Sequence, residues 1–168
     1  MKILVTGGTG YIGSHTVIEL QKKGYEVIIV DALFNSRVQA LDAIEKISGI
    51  CPEFESFDLA NQSLTDDFFS RHDDIKGIIH FAAHKAVGES VDQPIKYYRN
   101  NLDSLMNILE SMKKYNVPNL VFSSSCTVYG QPDAEHLPEL RRTGGAGAGS
   151  AVHRTGCEGR PARRFRRQ

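Results

Sequence analysis

Residues 6–13 read TGGTGYIG and separate two apolar segments of different period. The run KILVTG at 2–7 is short, apolar and ended by glycine, as a buried strand would be. The following segment, YIGSHTVIELQKKG at 11–24, has apolar residues at helical spacing and a glycine at its end. The order predicted around the glycines is therefore strand, tight turn and helix.

The glycines of this turn follow the pattern G-x-x-G-x-x-G. Gly7 permits the tight turn, Gly10 lets the backbone approach a pyrophosphate, and Gly13 lets the helix pack close to the sheet. The free N–H groups at the helix N-terminus can bind phosphate charge. The position between a strand and a helix favours a dinucleotide-binding turn over the alternative, a glycine turn that serves packing alone.

The same alternation of strand and helix continues to about residue 125. Further strands are predicted at 25–31, 53–59, 77–83 and 119–125, and further helices at 36–49, 63–72 and 93–116. The helix at 36–49 would place Val38, Leu41, Ile44 and Ile47 on one face. The pattern predicts an α/β fold with a doubly wound, Rossmann-like parallel sheet of five strands in the order 3-2-1-4-5. Ligands of such sheets bind beyond the carboxyl ends of the strands.

Asp31 ends the second predicted strand, 18 residues after Gly13. A carboxylate there can accept hydrogen bonds from both adenosine ribose hydroxyls and would repel a 2′-phosphate. The next five residues, 32–36, carry no positive charge, and Arg37 is assigned to the start of the second helix. We therefore expect NAD rather than NADP, with a turn-forming or capping aspartate as the alternative.

Other polar residues follow the third and fourth strands. Asp58 would either accept from the adenine amino group or cap its loop. Ala82 and Ala83 are small enough for close approach of a cofactor, and Lys85 supplies a cation near ribose hydroxyls or a substrate phosphate. His84 is interpreted as a loop residue with no second ligand at metal-binding spacing, so no metal is assigned.

Composition narrows the class of protein. The chain has 168 residues, 40% hydrophobic and 24% charged, which is typical of a globular domain, and no stretch reads as a signal peptide or a membrane span. Cys51, Cys126 and Cys157 have no disulfide or zinc pattern and are interpreted as free thiols. The expected compartment is the cytoplasm.

The charge distribution divides the chain near residue 138. Residues 1–140 contain 12 basic and 19 acidic side chains, whereas residues 141–168 contain eight arginines and one glutamate. We expect an incomplete dinucleotide-binding domain at 1–138 and a non-native or disordered Arg/Gly-rich tail at 139–168. Out-of-frame translation after a frameshift near codon 138 is the favoured origin of the tail. The alternative, a functional cationic tail, would bind polyanions without indicating a specific nucleic acid.

The motifs taken together resemble those of one family. TGGTGYIGSH, VDALFNS, FAAHKAVGES, YYRNN and FSSSCTVYG are similar to the UDP-glucose 4-epimerases, extended short-chain dehydrogenases/reductases, over about residues 1–138. Ala83 and Ser104 stand where many relatives have glycine. The resemblance implies NAD contacts from Gly7, Gly10, Tyr11, Ile12, Gly13, Asp31, Ala32, Leu33, Phe34, Asn35, Ser36, Asp58, Leu59, Phe81, Ala82, Ala83, His84, Lys85 and Asn100.

The resemblance also implies an activity and a catalytic residue. The family interconverts UDP-galactose and UDP-glucose by transient NAD-dependent oxidation at the sugar C4, and Ser125 would hydrogen-bond the reacting oxygen. The base of the family is the tyrosine of a Tyr-x-x-x-Lys pair, and none of the six tyrosines here has a lysine four residues later. We therefore expect a fragment without turnover that lacks the later strands and the substrate domain.

Two alternatives and two further expectations accompany this interpretation. The chain could be a dinucleotide-binding module without turnover, or another NAD-dependent nucleotide-sugar epimerase or dehydratase. Against a 4,6-dehydratase, Thr127 is followed by Val128 and Tyr129 rather than by an Asp-Glu pair.

The resemblance to the family implies that the full-length protein is a homodimer. An uncovered fifth strand and fourth helix would make the fragment poorly soluble.

Overall fold

The computed structural model describes residues 1–124, and their centre is one parallel sheet. Its five strands are β1 (Lys2–Thr6), β2 (Glu26–Val30), β3 (Glu53–Glu55), β4 (Ile75–His80) and β5 (Leu120–Phe122). They lie in the order β3-β2-β1-β4-β5, and every neighbouring pair is parallel. The predicted fold class and strand order are confirmed.

Six α-helices and one π-helical turn connect the strands. The helices are α1 (Tyr11–Lys22), α2 (Ala40–Ser48), α3 (Gln62–Arg71), α4 (Val87–Asp92), α5 (Pro94–Tyr98) and α6 (Ser104–Lys114). The π-helical turn, Arg99–Asp103, joins α5 directly to α6. No helix within residues 1–124 combines the length and the apolar character that a membrane crossing needs.

Two apolar clusters, one on each face of the sheet, form the core. Along β1, Leu4 packs on one face while Ile3 and Val5 pack on the other. Helices α1 and α2 cover the Val5 face, and helices α3 and α6 cover the Leu4 face, where Phe68 and Phe69 are fully buried. Burial on both faces explains why the central strands read as unbroken apolar runs rather than alternating ones.

The second helix is shorter than the sequence predicts. It begins at Ala40, so Arg37 and Val38 precede it, and Val38 is exposed. Ile44 is buried as expected, but Ile47 is exposed. The start is delayed because the Ser36 side chain is hydrogen-bonded to the loop before it, which leaves the next residues to form turns.

The predicted helix at 93–116 is divided by the π-helical turn, and α4 lies in a stretch for which no helix was predicted. Helix α4 has only six residues, includes Gly88 and buries none of its residues, so it lacks a periodic apolar signal. The strand predicted at 53–59 pairs only at 53–55. It leaves the sheet before Asp58, whose carboxylate accepts the Ala60 N–H in a turn.

Candidate functional site

A cleft of about 380 Å³ opens at the carboxyl ends of the strands, where the chain order reverses around β1. Among the residues predicted to bind a cofactor, only Leu33 does not line it. The lining residues are Gly7, Gly10, Tyr11, Ile12, Gly13, Asp31, Ala32, Phe34, Asn35, Ser36, Asp58, Leu59, Phe81, Ala82, Ala83, His84, Lys85 and Asn100, together with the unpredicted Val30, Phe57, Ala86 and Ser104. Ser125 lies outside the described residues.

The glycine turn forms the floor of the cleft. Gly7 has a φ of 68°, and its N–H donates to Val30 O at 2.8 Å. A Cβ at Gly13 would lie 2.2 Å from Gly7 O, so only glycine allows α1 to start this close to the turn. No side chain caps the N-terminus of α1 and its first turn contains no acid. The amides there are therefore available to an anion such as a pyrophosphate.

Asp31 lies at the end of β2 with its carboxylate held by four donors from this chain. Oδ2 accepts from Thr9 N at 3.2 Å and from Thr9 Oγ1 at 2.6 Å. Oδ1 accepts from Leu33 N at 2.9 Å and from Ser36 Oγ at 3.1 Å. Leu33 has a φ of 58°, a left-handed conformation in the loop whose Leu33 N–H binds the carboxylate. Asp31 therefore lines the cleft and also shapes its own turn.

A buried pair of side chains joins β1 to β4 beneath the cleft. Thr6 Oγ1 lies 2.7 Å from His80 Nδ1 and accepts from Ala82 N at 3.3 Å. Burial lowers the pKa of His80 to about 4, so the imidazole is neutral near pH 7 and Nδ1 can accept the Thr6 proton. The backbone after β4 is thereby held against the turn, where a Cβ at Gly7 would lie 2.9 Å from Ala82 N.

The π-helical turn presents two consecutive asparagines to the loop after β4. Asn100 lines the cleft. The amide of Asn101 instead binds the backbone of His84, accepting from its N–H at 2.8 Å and donating to its oxygen at 3.0 Å. The His84 ring packs 5.3 Å from the Phe34 ring and 5.4 Å from the Tyr97 ring. π-helical turns inside helices are frequent at functional sites.

Charge is divided between the two sides of the cleft. Asp31 and Asp58 follow β2 and β3, whereas Lys85 follows β4 on the other side of β1. Lys85 is exposed and is the one lysine or arginine among the described lining residues. No group of three or more metal-ligating side chains occurs within residues 1–124. The arrangement suits an elongated ligand with hydroxyls at one end and phosphates in the middle.

Comparison with known proteins assigns the family. Residues 3–145 match the family described as NAD dependent epimerase/dehydratase. The chain belongs to this family. A UDP-glucose 4-epimerase of Schizosaccharomyces pombe is 54% identical over 130 residues, which cover 77% of this chain and 36% of the relative. A UDP-glucose 4-epimerase of Bacillus subtilis is 48% identical over 139 residues, covering 83% of this chain and 41% of the relative.

Solved structures of the epimerase/dehydratase family share the fold. A UDP-glucose 4-epimerase from Bifidobacterium longum in complex with NAD⁺ and UDP superposes with a TM-score of 0.76 at 47% identity, covering 86% of this chain and 43% of that one. The enzyme from Stenotrophomonas maltophila with bound NAD and formylated UDP-arabinopyranose gives 0.75 at 41% identity, covering 83% and 41%. This epimerase/dehydratase chain thus spans less than half the length of the relatives that it matches.

Sequence reasoning missed the supporting residues of this epimerase/dehydratase cleft: Thr6, Thr9, His80 and Asn101. Thr6 and His80 gave one usable signal, since each is a polar residue that ends a strand buried on both faces. Their pairing across 74 residues follows only from the adjacency of β1 and β4. Thr9 and Asn101 act on backbone or carboxylate groups of distant segments, which no local pattern shows.

Proposed function

We propose that residues 1–124 form the core of the NAD-binding half of a UDP-glucose 4-epimerase. The full protein would interconvert UDP-galactose and UDP-glucose by transient oxidation at the sugar C4. The observation that carries the proposal is the cleft itself, which joins the uncapped N-terminus of α1 to the carboxylate of Asp31. The identity of the relatives, 48–54% to two UDP-glucose 4-epimerases, supports the choice of reaction within the family.

The residues present fit a dinucleotide. The amides at the start of α1 would hold the pyrophosphate, and Asp31 would accept the hydroxyls of the adenosine ribose. Asp58 would lie near the adenine, while Lys85 and Asn100 would contact the nicotinamide side. Bound NAD supplies the hydride acceptor and donor of the reaction. The protein would orient the cofactor, and residues 32–36, which follow Asp31, carry no positive charge for a 2′-phosphate.

Within the 168 residues, we propose binding without turnover. Ser125 would hydrogen-bond the reacting oxygen in the intact enzyme, but no tyrosine of this sequence is followed by a lysine at the fourth position. General-base catalysis contributes roughly 10²- to 10⁴-fold in rate, so its absence alone would remove most activity. We also propose the division into a domain at 1–138 and a tail at 139–168, on the basis of the change in charge and composition.

A different nucleotide sugar is the second candidate substrate. The Stenotrophomonas enzyme was solved with formylated UDP-arabinopyranose, and that enzyme shares 41% identity with this chain. Another NAD-dependent epimerase or dehydratase would therefore use the same cofactor half. Conversion of UDP-galactose by an intact protein that contains these residues, compared with that of UDP-arabinopyranose, distinguishes the two.

The test of the cofactor proposal is calorimetric titration of the 168-residue chain with NAD and with NADP. We expect saturable NAD binding that is tighter than NADP binding, and no conversion of UDP-galactose by the chain. Asp31→Asn should weaken NAD binding by about tenfold, since a hydrogen bond to a charged group contributes about 1.5 kcal/mol or more. Asp42→Asn, an exposed aspartate of α2, is the matched control. Epimerisation by the chain itself would contradict binding without turnover.

For the full-length protein we propose a cytoplasmic homodimer. Exposed apolar side chains on the segment from α4 to α6 support a paired surface: Val87, Val91, Ile95, Leu102, Met106 and Leu109. Sedimentation equilibrium of the intact protein measures the association. A monomer at micromolar concentration would contradict the homodimer.

A further inference from the structure

The carboxylate of Asp31 is bound on both oxygens before any ligand is considered. A carboxylate has about four lone-pair positions, and Thr9, Leu33 and Ser36 supply four donors to them. Thr9 supplies two of the four, its N–H and its hydroxyl, both to Oδ2. Leu33 and Ser36 belong to the same loop as Asp31, whereas Thr9 lies 22 residues earlier in the glycine turn. Thr9 is thus the connection between the turn and the carboxylate.

Proton counting orders the hydroxyls around the carboxylate. Thr9 Oγ1 is 2.6 Å from Asp31 Oδ2 and 2.7 Å from Ser36 Oγ. Each hydroxyl has one proton, and the carboxylate only accepts, so Thr9 and Ser36 each donate to one carboxylate oxygen and neither has a proton left for the contact between them. Thr9 is 5% exposed and does not line the cleft, so it acts on a ligand only through Asp31.

We infer that Thr9 is a positioning residue that sets the preference for NAD over NADP, an inference that rests on the cofactor site proposed above. By tying Asp31 to the glycine turn, Thr9 fixes the separation between the carboxylate and the amides at the start of α1. The ribose and the pyrophosphate of one cofactor must match that separation. A carboxylate held at this distance can accept a ribose hydroxyl in place of the Ser36 donor, which lines the cleft, without moving itself.

The same restraint excludes a 2′-phosphate. A phosphate at the 2′ position would meet a carboxylate that cannot rotate away, because Thr9 holds its Oδ2 and Leu33 holds its Oδ1. Without the Thr9 hydroxyl, Oδ2 keeps only the 3.2 Å bond from the Thr9 N–H and the carboxylate can turn toward water. Affinity for NAD then falls while repulsion of the 2′-phosphate is relieved.

The experiment compares NAD and NADP dissociation constants of the 168-residue chain with those of Thr9→Val and Thr9→Ser. Thr9→Val keeps the shape and removes the hydroxyl, and we expect the ratio of the NADP to the NAD constant to fall about tenfold. Thr9→Ser restores the hydroxyl and should keep the ratio within about twofold. Thr16→Val is the control, because the Thr16 hydroxyl donates only to Ile12 O within α1. Thr9→Ala serves as a second variant if Thr9→Val does not fold.

The outcomes separate the two proposals. A reduced ratio in Thr9→Val, or in Thr9→Ala, with an unchanged ratio in Thr9→Ser and Thr16→Val, supports the positioning role. Equal weakening of both cofactors by loss of the hydroxyl, with an unchanged ratio, overturns it and leaves Thr9 as a packing residue of the turn. Absence of NAD binding by the unsubstituted chain overturns the cofactor site itself, and the inference with it.

Discussion

The cleft has two sides that differ in how completely the described residues build them. On the β2 side, four donors hold Asp31, and the strand behind it is buried at Val27–Val30. On the β4 side, Lys85 is exposed and the edge strand β5 leaves Val121 61% and Phe122 50% exposed. Within residues 1–124, hydrogen bonds and buried strands thus complete the β2 side of the cleft, whereas the β4 side of the sheet ends at an exposed strand.

The largest expected effect comes from a substitution at Gly13, where the start of α1 packs closely against the backbone of the glycine turn. In Gly13→Ala the added carbon would meet Gly7 O at 2.2 Å and Gly8 Cα at 2.8 Å, both backbone atoms. Neither can move without shifting the turn, so we expect a loss of at least about 3 kcal/mol in the free energy of unfolding and no measurable NAD binding. Urea denaturation and calorimetry measure the two.

Gly88→Ala is the matched control for that substitution. A Cβ at Gly88 has no heavy atom within 4 Å, and the residue lies in α4, where alanine is the better helix former. We expect a change in stability of less than about 1 kcal/mol and unchanged NAD affinity. Similar losses in the two variants would show that the turn has no special requirement for glycine at position 13.

The second effect concerns the buried pair under the β4 side. His80 is 2% exposed, and burial lowers its pKa to about 4 from 6.5. Because the unfolded chain binds the proton more readily, the neutral ring contributes full stability above pH 6.5 and loses it as the pH falls toward 4. We expect the free energy of unfolding to drop by about 2 kcal/mol from pH 7 to pH 5, measured by urea denaturation at each pH.

His80→Gln tests whether His80 causes this pH dependence of the free energy of unfolding. The glutamine oxygen can accept from Thr6 as the neutral ring does, but it does not titrate. The variant should therefore lose the dependence between pH 7 and pH 5. Carboxylates with lowered pKa values, such as Glu55 and Asp74, lose their contribution only below their usual range and do not affect this window. If the free energy of unfolding of His80→Gln still fell between pH 7 and pH 5, the pH dependence would belong to other groups.

A smaller effect is expected from the asparagine that holds the loop after β4. Asn101→Ala removes two hydrogen bonds to the backbone of His84 and should cost about 1–2 kcal/mol. The loop would loosen before the sheet does, so hydrogen exchange at residues 84–86 should accelerate and NAD binding should weaken severalfold. Asn119→Ala, which removes a single bond to Lys76 O away from the cleft, is the control. Equal hydrogen-exchange rates at residues 84–86 in both variants would argue against a role of Asn101 in holding this loop.

The smallest effect on stability is expected at β5, the exposed strand on the β4 side of the cleft. Val121→Lys places a charge on an exposed position of β5 and should change the free energy of unfolding by less than about 0.5 kcal/mol. It should reduce association of the chain, because charged residues on edge strands oppose strand pairing between molecules. Light scattering measures this, with Val38→Lys as a control that adds the same charge in a loop. An equal reduction of association by both substitutions would indicate a general effect of added charge.

Most of the fold was predictable because the central strands are buried on both faces and their sequences are continuously apolar. The ends of elements were not. Among residues 1–124, β3 pairs with β2 alone, and the pairing stops at Glu55 because its partner Val30 is the last residue of β2, although the apolar pattern continues. The segment before α2 is held by a hydrogen bond from Ser36 to Asp31, which the apolar period of the helix does not show. Interactions outside the segment decided both boundaries.

The cleft-lining residues were predictable because ligands of parallel sheets bind at the carboxyl ends of strands and because the motifs resemble a known family. The residues behind the lining were not. Thr9 and Asn101 bind partners 22 and 17 residues away, and His80 reaches Thr6 across 74. Such pairs depend on which loops the sheet order brings together, which the local pattern of a single sequence does not show.

The π-helical turn between α5 and α6 makes residue spacing part of the site. In an α-helix each residue advances the rotation by about 100°, and a π-helical turn accommodates one residue more than an α-helical turn. Deleting one residue at 99–103 would therefore leave an α-helical turn between α5 and α6, which would keep their relative rotation, and the turn could no longer present both Asn100 to the cleft and Asn101 to the backbone of His84. The extra residue of this turn is part of the site in its own right, because it lets two consecutive asparagines serve two different partners.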